Sequence, residues 1–246
     1  MKKFITISQT AQQILKSAKL SAELPINTFI HGQKGVGKIL LAKEILPDAP
    51  VFCAAELEKL INNKQIDLGN YDALILEDVD NILNIEEFFK ALQNHKLVAT
   101  AIEKNDKFNQ YFAIKIEIPP LKERPEDLEE ICEIYKKEAI SIYNTHVPIK
   151  NLELDLSENG ITLKQSIYKS VMLQSMNTKD ILETMEIYLT KKLESGSTYR
   201  DLIEVFEIPL LQAAKKIYKS QLQMADKLEI NRITLRKKIQ QYFGEL

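Results

Sequence analysis

The sequence predicts an α/β fold: a parallel-sheet core, a helical segment behind it, and a small all-α helix-turn-helix domain at the C-terminus. Three observations lead there. Short apolar runs alternate with helical patterns as far as Pro120, the composition turns helical after Pro125, and residues 209–246 are basic on an otherwise acidic chain. Strands alternating with helices give a parallel sheet covered on both faces.

The elements follow in order. The run 8–24 reads as a helix whose apolar side is Ile14, Leu15, Ala18 and Leu20, stopped by Pro25. A short apolar strand at 26–31 meets a glycine cluster, then a helix at 38–46 ends at Pro47. A second strand spans 51–53 and a helix 54–61. The run 72–76 is a continuous apolar strand ending in acids. A helix at 86–93, a strand at 97–101 and a strand at 114–118 complete the core, closed by Pro119-Pro120. Amphipathic helices then occupy 126–143, 161–173 and 178–193. Glu194-Ser195-Gly196-Ser197-Thr198 has the composition of a flexible linker, and helices at about 200–217, 221–228 and 232–242 finish the chain. The division expected is 1–124 core, 125–195 helical lid and 196–246 C-terminal domain.

The bulk properties bound the function. The 246 residues are 45% hydrophobic and 28% charged, as in a globular protein, and no apolar run is long enough to cross a bilayer. The N-terminus lacks an apolar signal core, so a cytoplasmic location without membrane contact is expected. Two cysteines and three scattered histidines exclude a disulfide framework and give no metal-ligand spacing. The net charge of −2 hides a division: residues 209–246 carry eight Lys/Arg and three Asp/Glu, leaving −7 on the first 208. A basic tail on an acidic body suits nucleic-acid contact, although charge alone also fits a solvated helix face.

Gly32-Gln33-Lys34-Gly35-Val36-Gly37-Lys38 fits G-x-x-x-x-G-K between an expected strand and an expected helix. In that context backbone amides turn toward a phosphate, the helix N-terminus adds positive potential, and Lys38 reaches the outer phosphates. The candidate nucleotide-binding residues are Gly32, Gly35, Val36, Gly37, Lys38 and Ile39, for ATP or ADP with Mg²⁺. Ile39 stands where a hydroxyl would ligate the metal. Glu77 and Asp78, at the end of a strand, are the candidate catalytic acids, one to hold Mg²⁺ and one to orient water. The chain has four arginines, Arg124, Arg200, Arg232 and Arg236, and only Arg124 lies in or beside the core. Transition-state charge on a transferred phosphoryl group usually meets an arginine, and lysine lacks its planar, delocalised head. Hydrolysis is therefore expected to be slow or absent.

At the C-terminus, 221–228 and 232–242 read as two helices joined by Glu229-Ile230-Asn231, with Asn231 an N-cap. Ala225, Leu228, Ile230, Leu235 and Ile239 have the spacing of a shared core. That spacing leaves Arg232, Ile233, Thr234, Arg236, Lys237 and Lys238 facing outward. With Gln221 and Asn231, these are the candidate contacts to double-stranded DNA, the arginines for guanine edges and the lysines for phosphates. The apolar stripe Leu202, Ile203, Phe206, Leu210, Leu211 and Ala214 fits either a homodimer seam or an internal packing face.

These residues resemble bacterial enhancer-binding transcription activators of the NtrC type, which work with the sigma-54 form of RNA polymerase. The match rests on four segments: residues 30–38 with Leu41-Ala42, the run Ile118-Pro119-Pro120-Leu121-Lys122-Glu123-Arg124-Pro125-Glu126-Asp127-Leu128, residues 177–183, and residues 225–239. The resemblance implies an AAA+ P-loop core, a helical lid in which Lys179 takes the place of a nucleotide-sensing arginine, and a Fis-type DNA-binding domain. Family members also lack Ser or Thr after the P-loop lysine.

The departures are specific. The G-A-F-T-G-A loop that contacts sigma-54 is absent, Phe108-Asn109-Gln110-Tyr111-Phe112 replaces the paired arginines, Phe52 replaces the asparagine beside the catalytic glutamate, and Glu229 replaces the turn glycine. The expectation is a DNA-binding regulator with a degenerate ATPase-like core. The alternatives are an active ATPase acting on DNA or on a partner protein, as a loader or remodeller, and a pure scaffold.

Overall fold

The computed structural model describes residues Lys3–Gly244. The chain divides after Ser175 into two compact units.

In the first unit, α1 (Gln9–Glu23) starts at Ser8, whose hydroxyl caps the Ala11 amide. There follow β1 (Thr28–His31), α2 (Lys38–Ile45), β2 (Val51–Cys53), α3 (Ala54–Asn62), β3 (Ala73–Glu77), α4 (Ile85–Ala91), β4 (Lys96–Ala101) and β5 (Ile114–Glu117). The five strands form one sheet in the order β2-β3-β4-β1-β5, every neighbouring pair parallel. The sheet explains why the strands read as unbroken apolar runs. Leu74 and Leu76 enter one core with Phe29, Leu97 and Ala99, while Ile75, Ile30 and Val98 enter another on the opposite face with α1 and α2. Side chains alternate between the faces of a strand, so a sheet packed on both sides needs both sets apolar.

After β5, Pro119-Pro120 leads through a short 3-10 turn to α5 (Pro125–Tyr143), with proline at its first position, where its missing N–H costs nothing. α6 (Gly160–Ser175) packs on α5 through Ile131, Tyr135, Ala139, Leu163, Ile167 and Val171. In this part of the chain the expected elements are found, their ends shifted by a residue or two.

The second unit holds α7 (Thr178–Glu194), α8 (Tyr199–Leu202), α9 (Glu204–Ile217), α10 (Gln221–Lys227) and α11 (Arg232–Phe243). Two expectations change here. The stretch 194–198 is an ordered turn, not an open linker. Gly196, at φ +89°, closes α7, and Thr198 opens α8 with a capping box to Asp201. The continuous helix expected over 200–217 is interrupted at Ile203, and α9 then accommodates Pro209 in its interior, forfeiting one ladder hydrogen bond there. Among the described residues no helix is long and apolar enough to cross a membrane.

Candidate functional site

The glycine loop leaves β1, between β4 and β5, and runs into α2. Two of its glycines are required by geometry. Gly35 has φ +78°, and a Cβ there would lie 2.1 Å from the Glu158 carbonyl oxygen. A Cβ on Gly32 would lie 2.5 Å from the carbonyl oxygen of Ile118, whose own amide donates to His31. The loop must pass between β5 and the entry to α6, and only backbone fits.

Lys38, the first residue of α2, is buried. Its ammonium donates to the carbonyls of Gly32 at 2.7 Å and Gln33 at 3.1 Å. Burial pushes its pKa below the ordinary lysine value, opposed by the carboxylates of Asp78, Asp80 and Glu77. Glu77 ends β3, and burial raises its pKa, reinforced by Asp78 and opposed by Lys38. Thus the expected lysine and both expected acids share one electrostatic neighbourhood.

Asp78 takes the left-handed conformation at φ +55°, and its amide donates to the hydroxyl of buried Thr100 at 3.3 Å. Asp80 accepts the amide of Ile102 at 2.8 Å. Together these bonds tie the turn after β3 to the end of β4. Thr100 and Asp80 were not singled out from the sequence. The available signal was one hydroxyl closing the apolar strand Leu97-Val98-Ala99-Thr100-Ala101.

Gly35, Val36, Gly37, Lys38, Ile39, Glu77 and Asp78 line a single cavity of about 540 Å³, within the usual range for small-molecule sites. Its other walls are mostly apolar, among them Phe4, Ile5, Leu121, Ile131 and Ile161, with Lys34, Arg124, Lys164 and Gln165 as the polar exceptions. A pocket lined by glycine-loop residues, a buried lysine and many apolar side chains suits a ligand with both an anionic and an apolar part. Ile39 packs against the α1–α2 core and offers no metal ligand. Phe52, expected beside Glu77, lies opposite Leu76 and packs edge-on to Tyr71, ring centroids 5.7 Å apart; Cys53 is the residue opposite Glu77, so β2 brings no amide to that acid. Phe108 and Phe112 are buried against Phe29, at 5.6 and 5.5 Å between centroids. The segment where the resemblance implies paired arginines is here an aromatic core.

Arg124, the one arginine beside the core, is 1% exposed. It donates to the Val36 carbonyl at 3.1 Å, pairs with Asp127 at 3.4 Å and lies over the Phe4 ring. It is built into the protein and is not free to reach a neighbouring molecule. Lys179 lies in the second unit, exposed on the first turn of α7, 3.6 Å from Glu183.

In the second unit, α10 and α11 are joined by residues 228–231. Glu229 sits at φ +53° in that turn, the conformation for which a glycine would be the natural occupant. Asn231 caps α11 by accepting the Ile233 amide at 2.8 Å, as the sequence suggested. Leu235 and Ile239 anchor α11 in a core with Met224, Ala225, Leu211 and Ala214, with Leu228 half-buried beside it. Ile230 is half-buried but is not part of that cluster, and Met224, Leu211 and Ala214 were not foreseen in it.

Gln221, Asn231, Arg232, Ile233, Thr234, Arg236 and Lys237 are exposed, Ile233 by 67%. Lys238 departs from the outward reading. It sits one residue before the anchor Ile239, on the flank of α11 facing α9, and forms an ion pair with Glu207. The apolar stripe of α9 is likewise split: Leu211 and Ala214 are used internally, whereas Phe206 remains 55% exposed.

No family model matches this chain, and no curated protein does. Solved structures do. NtrX from Brucella abortus in complex with ATP superposes with a TM-score of 0.55 at 14% identity, over 98% of this chain and 69% of that one. The same protein in complex with ADP gives 0.56 at 15% identity, over 97% and 69%. The chain shares their α/β fold, an AAA+-like parallel sheet with flanking helices. At this identity the likeness speaks for the fold alone.

Proposed function

We propose that this chain is a DNA-binding transcription regulator in which a degenerate AAA+ core binds ATP or ADP and turns it over slowly if at all, while α10 and α11 act as a Fis-type helix-turn-helix. The observation that carries the reading is the presentation of α11. Arg232, Ile233, Thr234, Arg236 and Lys237 stand exposed on its first turns while Leu235 and Ile239 hold it from behind. A helix that offers its N-terminal residues this way fits the major groove, where arginine grips guanine bidentately and an apolar group touches the thymine methyl. Exposed Phe206, with half-buried Leu202 and Leu210 near it, offers a seam for a homodimer and hence a palindromic site.

Nucleotide binding is supported by the cavity that joins the glycine loop and Lys38 to Glu77 and Asp78, and by the ATP and ADP complexes of NtrX. Mg²⁺ would be held by Glu77 or Asp78 through water, since Ile39 has no ligand to give. Weak turnover follows from β2, which sets Cys53 and no amide opposite Glu77, from the aromatic Phe108–Phe112 segment and from the buried Arg124. The same departures, with the missing G-A-F-T-G-A loop, argue against driving sigma-54 polymerase.

The test is DNA binding by the full-length protein, with genome-wide occupancy compared between the intact chain and one lacking residues 219–246. Loss of occupancy on truncation supports the reading, and unchanged occupancy removes it. A second reading, an active ATPase acting on DNA or a partner, draws on the Thr100-oriented Asp78 near Lys38. Turnover that is stimulated by DNA and abolished by Lys38→Ala or Glu77→Ala would favour it.

A further inference from the structure

The glycine loop is gripped from outside by groups distant in sequence. The Lys34 carbonyl accepts from Asn159 Nδ2 at 2.9 Å, the Gly35 carbonyl from the Gly160 amide at 3.0 Å, and the Val36 carbonyl from Arg124 Nη2 at 3.1 Å. No peptide bond among the described residues is cis. In a planar trans peptide the carbonyl and the following amide point opposite ways. Holding those three carbonyls therefore turns the amides of Gly35, Val36 and Gly37 away from the partners that hold them.

The two side chains doing this are themselves fixed. Asn159 is 2% exposed and sits at φ +49°. Its Oδ1 accepts the Leu121 amide at 2.8 Å, and its Nδ2 also reaches Gln33 Oε1 at 3.2 Å. Arg124 is locked by Asp127, whose carboxylate in turn accepts the amides of Ile7 at 2.7 Å and Ser8 at 2.8 Å and the hydroxyl of Ser8 at 2.8 Å. One buried polar chain thus runs from the glycine loop to the N-terminal segment whose Phe4 and Ile5 line the cavity.

We propose that Asn159 is a positioning residue that, with Arg124 holding the next turn of the loop, sets the peptide planes of the glycine loop, so that affinity for a polyphosphate depends on a group outside the cavity lining. Asn159 is the cleaner probe. Its backbone angle suits glycine, so Asn159→Gly removes the clip without straining the turn. This inference rests on the nucleotide reading above.

The experiment is calorimetric titration of the full-length protein with ATP, ADP and adenosine, together with amide hydrogen exchange over residues 33–38. In Asn159→Gly, affinity for ATP and ADP falls roughly tenfold, the worth of about one lost net hydrogen bond, while adenosine affinity changes less than twofold. Exchange accelerates in the loop and stays unchanged in β3 and β4. Asn159→Asp, which keeps the acceptor for Leu121 but loses the donor to Lys34, matches Asn159→Gly in exchange. Equal losses for ATP and adenosine, unchanged loop exchange, or a wild-type exchange pattern in Asn159→Asp each overturn the proposal. If the wild-type protein binds neither ATP nor ADP, the nucleotide reading falls, and loop exchange alone still decides whether the clip holds the loop.

Discussion

The hydroxyl of Tyr242 donates to the carboxylate of Glu207 at 2.6 Å, tying the last turns of α11 to α9, and Lys238 joins the same carboxylate from one turn earlier. This cluster fixes the angle at which α11 is presented, and it makes the second unit sensitive to pH. The Glu207 bond pushes the Tyr242 phenol up to about 12, burial adding to the effect. A phenol whose pKa is raised on folding contributes stability that is complete below its unfolded value of about 10. That contribution is lost as pH climbs from about 10 toward 12. Ultraviolet titration is expected to show Tyr242 among the late-ionising tyrosines, with Tyr135 and Tyr168, which burial also raises, and Tyr242→Phe removes one tyrosine from that late group. On the acid side, hydrogen bonds from Lys238 and Tyr242 hold Glu207 below its ordinary value. Its contribution is therefore present above the unfolded carboxylate range and fades as pH falls through the lowered pKa.

DNA affinity is expected to respond unequally along α11. Arg232→Ala and Arg236→Ala should each cost about 1–3 kcal/mol on the preferred site and relax discrimination there. Lys237→Ala should weaken all sequences alike and lower the salt slope by about one. Lys238→Ala, a residue paired with Glu207, should instead show first as a lower melting temperature. Fluorescence anisotropy across a salt series, alongside thermal melts, separates these outcomes. Equal effects at all four positions would contradict the assignment.

Glu229 spends its φ of +53° in a conformation that costs a side chain with a Cβ about 1–2 kcal/mol. Glu229→Gly relieves that and returns part of it as unfolded-chain entropy. The net expectation is a gain of up to about 1 kcal/mol, seen as a rise in the melting temperature of the second unit. A fall would mean that the Glu229 side chain contributes something the backbone strain conceals.

Phe112 is 2% exposed and meets both Phe29 and Phe89 at 5.5 Å. Phe112→Ala should destabilise the first unit by about 3–5 kcal/mol, measured by chemical denaturation. Phe112→Arg should prevent folding, because a lone charge would be buried without a partner. A soluble, cooperative Phe112→Arg protein would show that the segment can turn outward.

Much of this molecule was legible in the chain. Periodicity located the helices and strands because a two-sided parallel sheet demands continuous apolar strands, and Leu74-Ile75-Leu76 feeds one core and then the other. The spacing of Gly32, Gly35, Gly37 and Lys38 marked the loop because only glycine tolerates the approach of Ile118 and Glu158. Asn231 marked the start of α11 because capping is a local bond. Local rules of this kind act within a few residues, so a linear reading captures them.

Partners far apart in sequence were decided only by the tertiary structure. Nothing in a single chain links Asn159 to Lys34 or Arg124 to Val36, yet these bonds orient the loop. Arg124 read only as the one arginine in or beside the core and proved to be a buried clamp, because Asp127 and Phe4 close around it. Lys238 read as outward and turned to Glu207, because the rotation of α11 is set by where Leu235 and Ile239 find their core. Sequence fixes which residues can bury, cap or turn; packing decides which charges remain free to meet a ligand.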